Sequence, residues 1–303
     1  MDRRGFLATA LTGIAGAAER AHSFTTDRRP GRVDLFVDRR LVSGLVFDER
    51  WDKPFIYPLR TLSGIALERG FPLAQRKDES TDHPWHRGLI YGHGVINGVD
   101  FWRELGRGQS GRLIPRGEPE ESGSNLKLRL AMQPPTGAAI GTIEQFYTLR
   151  VIESCLVIEA TITVAADAGA ALQFGDTEDG GFGMRLRDEF RQDRGAILRN
   201  SEGLQGTENI WGKPARWVDY TAEIEGRLAG VALYDHPGNP RHPSRWHARG
   251  YGLCCANPFA LRDFTGDASA DGSFEIPAGD ELVLRYRAAI HEGAGFDPES
   301  IRW

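Results

Sequence analysis

The chain has 303 residues, of which 40% are hydrophobic and 26% charged, and a formal net charge of -5. That is an ordinary globular balance, and the length suffices for a core that needs no disulfide or metal to be stable. The scattered arginines and negative net charge exclude a basic nucleic-acid surface, so no nucleic-acid partner is expected.

Arg3-Arg4-Gly5-Phe6-Leu7, followed by an apolar run from Leu7 to Ala18, reads as a twin-arginine export signal over residues 1–21, with Ala15-Gly16-Ala17 as its small-residue cleavage site. The run is too short and too rich in Gly and Ala to remain as a bilayer span. No other segment approaches that length, so the mature protein is expected outside the cytoplasm, periplasmic or secreted, with no integral membrane segment. Residues 32–303 read as one domain.

From Arg32 onward the dominant period is two, the signature of strands with one buried face. Val33 to Val37 and Leu41 to Phe47 bracket Asp38-Arg39-Arg40 as a hairpin. Lys53 to Leu59 is extended, because Pro54 and Pro58 exclude helix. Leu89 to Ile96 reads as a buried strand, and Leu126 to Met132 alternates cleanly. Ile143 to Val151 and Leu156 to Val164 flank a Glu153-Ser154 turn. Ala171 to Phe174, Arg216 to Ile224, Leu228 to Tyr234 and Glu281 to Ile290 continue the pattern. Loops are expected at 106–123, 200–214, 235–250 and 264–272. No amphipathic helix of any length is evident, and Asp188 to Asp193 is at most a helical turn. So many short strands in one domain predict an all-β fold, a large two-sheet β-sandwich.

Three stretches concentrate chemistry. Asp82 to Trp102 holds three of the eight histidines, His83, His86 and His93, among four glycines and three candidate substrate contacts, Trp85, Arg87 as an anchor for hydroxyls or a carboxylate, and Asn97. Imidazole transfers protons near neutral pH and ligates metals. His83, His86 and His93 are therefore candidate acid–base groups and, if a divalent metal is bound, its ligands, with Asp82 orienting an imidazole behind them. The second stretch, Asp235 to Arg249, lies in a Pro/Gly-rich loop. It offers His236 and His247 as acid–base candidates and Arg241, His242 and Arg249 as polar contacts, while Trp246 or Trp85 could stack on a sugar ring. The third, Phe174 to Arg185, brings three carboxylates, Asp176, Glu178 and Asp179, together next to a glycine-rich turn. Asp176 and Glu178, at alternate positions of a strand end, form the favoured acid–base pair. Asp82-His83-Pro84 and Asp235-His236-Pro237 echo each other, as if two halves faced one cleft. The three cysteines, Cys155, Cys254 and Cys255, are too few for a disulfide scaffold and receive no catalytic role.

Asp-His-Pro-Trp-His-Arg-Gly-Leu at 82–89, Gly-His-Gly at 92–94 and Asn-Gly-Val-Asp-Phe-Trp at 97–102 resemble the hallmark of the bacterial PmoA-like family. Gly175-Asp176-Thr177, Gly180 to Gly183, and Asp235-His236-Pro237 through Trp246-His247 are similar to that family's later motifs. Trp85 stands where most relatives have a second histidine. The resemblance implies an exported protein with a large β-sandwich similar to the galactose mutarotase supersandwich, found alongside sugar-processing proteins. The expected ligand is a small carbohydrate. The expected function is acid–base chemistry on a sugar or oxidised glycoside, with carbohydrate binding without catalysis and a His-ligated metal-dependent oxygenase or hydrolase as the other readings.

Overall fold

The computed structural model describes residues 21–106, 108–301 and 303, so the twin-arginine motif and its apolar run lie outside the described residues. Two antiparallel sheets face each other. The first has eight strands, in the spatial order Phe24–Arg29, Arg32–Val37, Arg40–Val46, Phe55–Ile56, Leu89–His93, Gly180–Arg185, Leu253–Asn257 and Arg245–Arg249. The second runs Ile197–Asn200, Trp217–Ile224, Arg227–Asp235, Glu281–Glu292, Cys155–Ala166, Gly141–Ile152, Asn125–Gln133 and Arg112–Pro115, with Glu120–Ser122 also pairing to Asn125–Gln133. Leu172–Phe174 and Phe274–Ile276 form a small third sheet. The expected two-sheet, all-β sandwich is what the chain builds.

Alternation within each strand makes the sandwich. In Leu89–His93, Leu89 and Tyr91 enter the core shared with the second sheet, while Ile90 joins a separate cluster on the opposite face with Phe55, Trp102 and Cys255. In Leu253–Asn257, Cys254 and Ala256 point inward and Leu253 and Cys255 outward. Between the sheets, Phe182 stacks on Tyr286 at 4.9 Å, and Tyr220 Oη donates to the carbonyls of Arg249 and Leu253, both at 3.0 Å. The outer face of the eight-stranded sheet is left to carry polar side chains.

Several elements differ from the sequence reading. Phe24–Arg29 pairs with Arg32–Val37, so the sheet begins before Arg32. In the extended stretch around Pro54 and Pro58, only Phe55–Ile56 pairs as strand. Short strands also occupy the expected loops, at Arg112–Pro115, Glu120–Ser122 and, most consequentially, Arg245–Arg249. Helix is confined, among the described residues, to the four-residue Thr207–Ile210 and Arg262–Thr265 and three 3-10 turns. No described helix is long and apolar enough to cross a membrane. The three cysteines are free and buried.

Candidate functional site

The outer face of the eight-stranded sheet gathers the first stretch with parts of the other two. Asp82 lies in the loop that leads into Leu89–His93. Arg185, at the end of Gly180–Arg185, grips its carboxylate with both terminal nitrogens at 3.0 Å, and the fully buried Arg69 reaches it at 3.2 Å. Asp82 in turn accepts from His83 Nδ1 at 2.5 Å. Burial opposes its charge, but the His83 hydrogen bond and the Arg185 and Arg69 guanidinium groups outweigh it and hold the carboxyl far below its ordinary range. Asp82 is thus a fixed anion that places the His83 proton on Nδ1 and leaves Nε2 as a lone pair. Nε2 has no hydrogen-bond partner among the described residues, and the His83 side chain is 44% exposed. The His83 backbone sits at φ 45°, a left-handed conformation uncommon for a non-glycine residue.

His86 stacks on His83 with ring centroids 5.1 Å apart and planes at 7°. Tyr251 lies parallel to His83 at 6.2 Å, and Arg185 covers Tyr251 at 4.3 Å. Trp85 meets the His83 ring edge-on and is half-buried, packed against the outer-face cluster. His247 comes from the Arg245–Arg249 strand, where it points outward between the inward Trp246 and Ala248. Its Nδ1 donates to the Glu178 carbonyl at 3.0 Å, and its Nε2 accepts from Arg249 Nε at 2.9 Å. Both nitrogens are engaged. Burial first, then Arg249, push its pKa down to about 3, so His247 is a poor base and serves to hold Arg249. Arg249 reaches both oxygens of Glu178, at 3.1 and 3.0 Å. Beside it, Asp179 faces Arg103 at 3.5 Å. Burial raises the pKa of both Glu178 and Asp179; the arginines oppose the shift, and neighbouring carboxylates, Asp100 and Asp263 for Asp179, add to it. His83 is near enough to act electrostatically on both Asp179 and His247.

Other candidates lie elsewhere. His93 points to the inner face, with Leu89 and Tyr91. Its Nε2 donates to the Gly175 carbonyl at 2.7 Å among Phe174 and Phe259, and burial lowers its pKa to about 4. It faces away from His83 and His86, so these three cannot share one metal. No group of three His, Cys, Asp or Glu able to hold a metal occurs among the described residues. Asp176 is no partner for Glu178: its carboxylate accepts backbone N–H groups of Leu261, Arg262 and Gly272, because residues 175–179 form a turn rather than a strand end. Trp246 is fully buried, its indole donating to the Ala215 carbonyl at 2.8 Å, so it cannot stack on a ligand. Arg87 is buried under Trp51 and Phe55 and paired with Glu104. Asn97 clamps the turn before the small sheet, accepting from the Gln173 N–H and donating to the Ala171 carbonyl. Arg241 spends its guanidinium on the carbonyls of Pro258, Gly272 and Ser273. His242 is tied to Asp235, and His236 packs on Trp303 at 4.5 Å; neither touches the His83 group, so the two echoing motifs do not share a cleft.

The sequence reading gave no site role to Arg69, Arg185, Asp179, Arg103 or Tyr251. Asp179 carried a signal, as the third carboxylate of the 176–179 run, and Arg185 closed the same stretch. The others come from separate strands and loops, and nothing local marks them.

These features define a two-sheet β protein with a carboxylate–imidazole pair exposed on one outer face. The chain belongs to a family of unknown function, DUF6807, whose model matches residues 32–302. No curated protein matches it. Among solved structures it is similar to a galactose mutarotase related enzyme from Lactobacillus acidophilus, at 8% identity over 88% of this chain and 97% of that one, with a TM-score of 0.42. It is also similar to an Escherichia coli K12 protein described as an aldose 1-epimerase, at 12% identity over 90% of this chain and 100% of that one, again with a TM-score of 0.42. At those scores the likeness carries no argument; the two facing sheets define the architecture on their own.

Proposed function

We propose that the protein is an exported carbohydrate-active enzyme whose outer-face site performs acid–base chemistry on a neutral sugar or oxidised glycoside. The observation that carries the reading is the Asp82–His83 pair. An imidazole oriented by an arginine-clamped anion, with its other nitrogen free and exposed, is the arrangement a general base requires. His83 Nε2 takes a proton from a substrate hydroxyl or from a carbon next to a carbonyl, and Asp82 stabilises the imidazolium that results. Asp179 or Glu178, which burial holds closer to protonated than ordinary carboxyls, returns a proton on the other side of the reacting bond. Arg249 and Arg103 are each already paired with a carboxylate, which favours hydroxyl groups over an anionic substrate. Export follows from the twin-arginine motif, and the resemblance of 82–102 to PmoA-like proteins supports a sugar as ligand.

The test is turnover of a panel of glycosides and their keto derivatives by the mature protein. His83→Ala is expected to lower turnover by about 10²–10⁴-fold, the usual contribution of a positioned acid or base. Asp82→Asn should also lower it, through loss of the imidazole's orientation. Turnover of every active substrate at the wild-type rate by His83→Ala would sink the reading. Binding of sugars with no turnover by the wild type would mark a carbohydrate-binding protein instead.

A further inference from the structure

His86 lies directly beneath the proposed base and is 2% exposed. Its Nε2 is 3.1 Å from Trp102 Nε1. An indole N–H can only donate, so His86 Nε2 must present a lone pair. The imidazole hydrogen therefore resides on Nδ1, which is buried and has no partner among the described residues. Protonating this ring would set a second N–H against the indole N–H. Burial discourages that further, as do Arg185 and Lys53 nearby and His83 stacked on it, while Asp82 is bonded to His83 and the two arginines.

We propose that Trp102 is a positioning residue, whose indole N–H locks His86 as a neutral Nδ1–H tautomer and so reserves the proton of the stacked pair for His83. The inference rests on the acid–base reading of His83. Two imidazoles 5.1 Å apart repel when both are charged, so only one of them can cycle a proton freely. Asp82 favours the charge on His83, and Trp102 forbids it on His86. The arrangement removes an ambiguity that a bare pair of stacked histidines would have.

Long-range proton–nitrogen spectra of the full mature protein with ¹⁵N-labelled histidine test this between pH 5 and 9. The His86 signals, identified by their loss in His86→Gln, are expected to show a neutral Nδ1–H ring across the whole range. In Trp102→Phe, His86 should begin to titrate, with its midpoint raised by about one pH unit or more. An Nε2–H tautomer for His86 in the wild type, or unchanged curves in Trp102→Phe, would overturn the proposal. If Trp102→Phe does not fold, the wild-type tautomer decides. The spectra need no substrate, so a failed turnover test of His83→Ala and a failed tautomer test are separate results.

Discussion

Glu104 shows how the same residue types can serve structure or chemistry. It pairs with Arg87 and, at 3.1 Å, with the buried Lys53, whose ammonium also donates to the Trp102 carbonyl. Burial lowers the Lys53 pKa, with Glu104 opposing the shift. Glu104→Gln leaves two buried cations short of their shared anion. It is expected to destabilise the fold by about 3–5 kcal/mol, the usual cost of breaking a buried pair, measured by urea unfolding. An unchanged midpoint would mean that water reaches these groups. The motif Trp-His-Arg-Gly made Arg87 look like a ligand anchor, because sequence reports charge but not burial. Asp82 and His83 were legible, since adjacent residues in a tight loop are held close by the backbone itself. Arg69 and Arg185, which fix the Asp82 charge, were not, because Arg69 comes from the loop that follows Phe55–Ile56 and Arg185 from the distant strand Gly180–Arg185.

At the scale of the strand, period-two alternation located most of the sandwich. It missed Arg245–Arg249, because Pro and Gly crowd the residues before it and five residues give too short a pattern. That miss placed Trp246 beside a ligand when alternation in a strand sends it inward and His247 and Arg249 outward. The glycines near 180 also change meaning once the strand is known. A Cβ on Gly183 would overlap the Cys254 carbonyl oxygen and Cys255 Sγ on the neighbouring strand, so the sheet can close there only around hydrogen. Gly183→Ala is expected to cost about 1–3 kcal/mol, as overpacking does, and to disturb the outer face next to Arg185. Thermal unfolding at wild-type temperature for this variant would contradict the packing argument.

Over the whole molecule, buried ionisable groups set the acid limit of stability. His93 and His247 are held neutral by burial, with pKa values lowered from 6.5 to about 4 and about 3. The unfolded chain binds those protons first, so their contribution is present above pH 6.5 and is lost as pH falls through the folded values. Glu68 acts oppositely: burial raises its pKa from 4.5 to about 7, so its contribution is lost as pH rises between those values. Between pH 6.5 and 4.5 Glu68 offsets only part of the loss from His86, His93 and His247, so stability falls on acidification; below 4.5 that offset ends and the fall steepens. Urea unfolding from pH 7 to 4 measures the slope. His247→Gln should remove about one proton's share of it, roughly 1.4 kcal/mol per unit. An equally steep curve in the variant would show that His247 does not titrate with unfolding.

The sequence by itself determined the all-β character and the two-sheet sandwich, because alternation is a local property that every strand writes into its own residues. It also determined the Asp82–His83 pair, because neighbours in sequence need no fold to meet. The tertiary structure decided which face each motif serves. His93 and Trp246 went inward, Asp176 and Arg241 went to loop carbonyls and amides, and Arg185, Asp179 and Tyr251 came to His83 from elsewhere. A shift of one position along a strand moves a side chain to the opposite face, and only the register of neighbouring strands fixes which charges then meet.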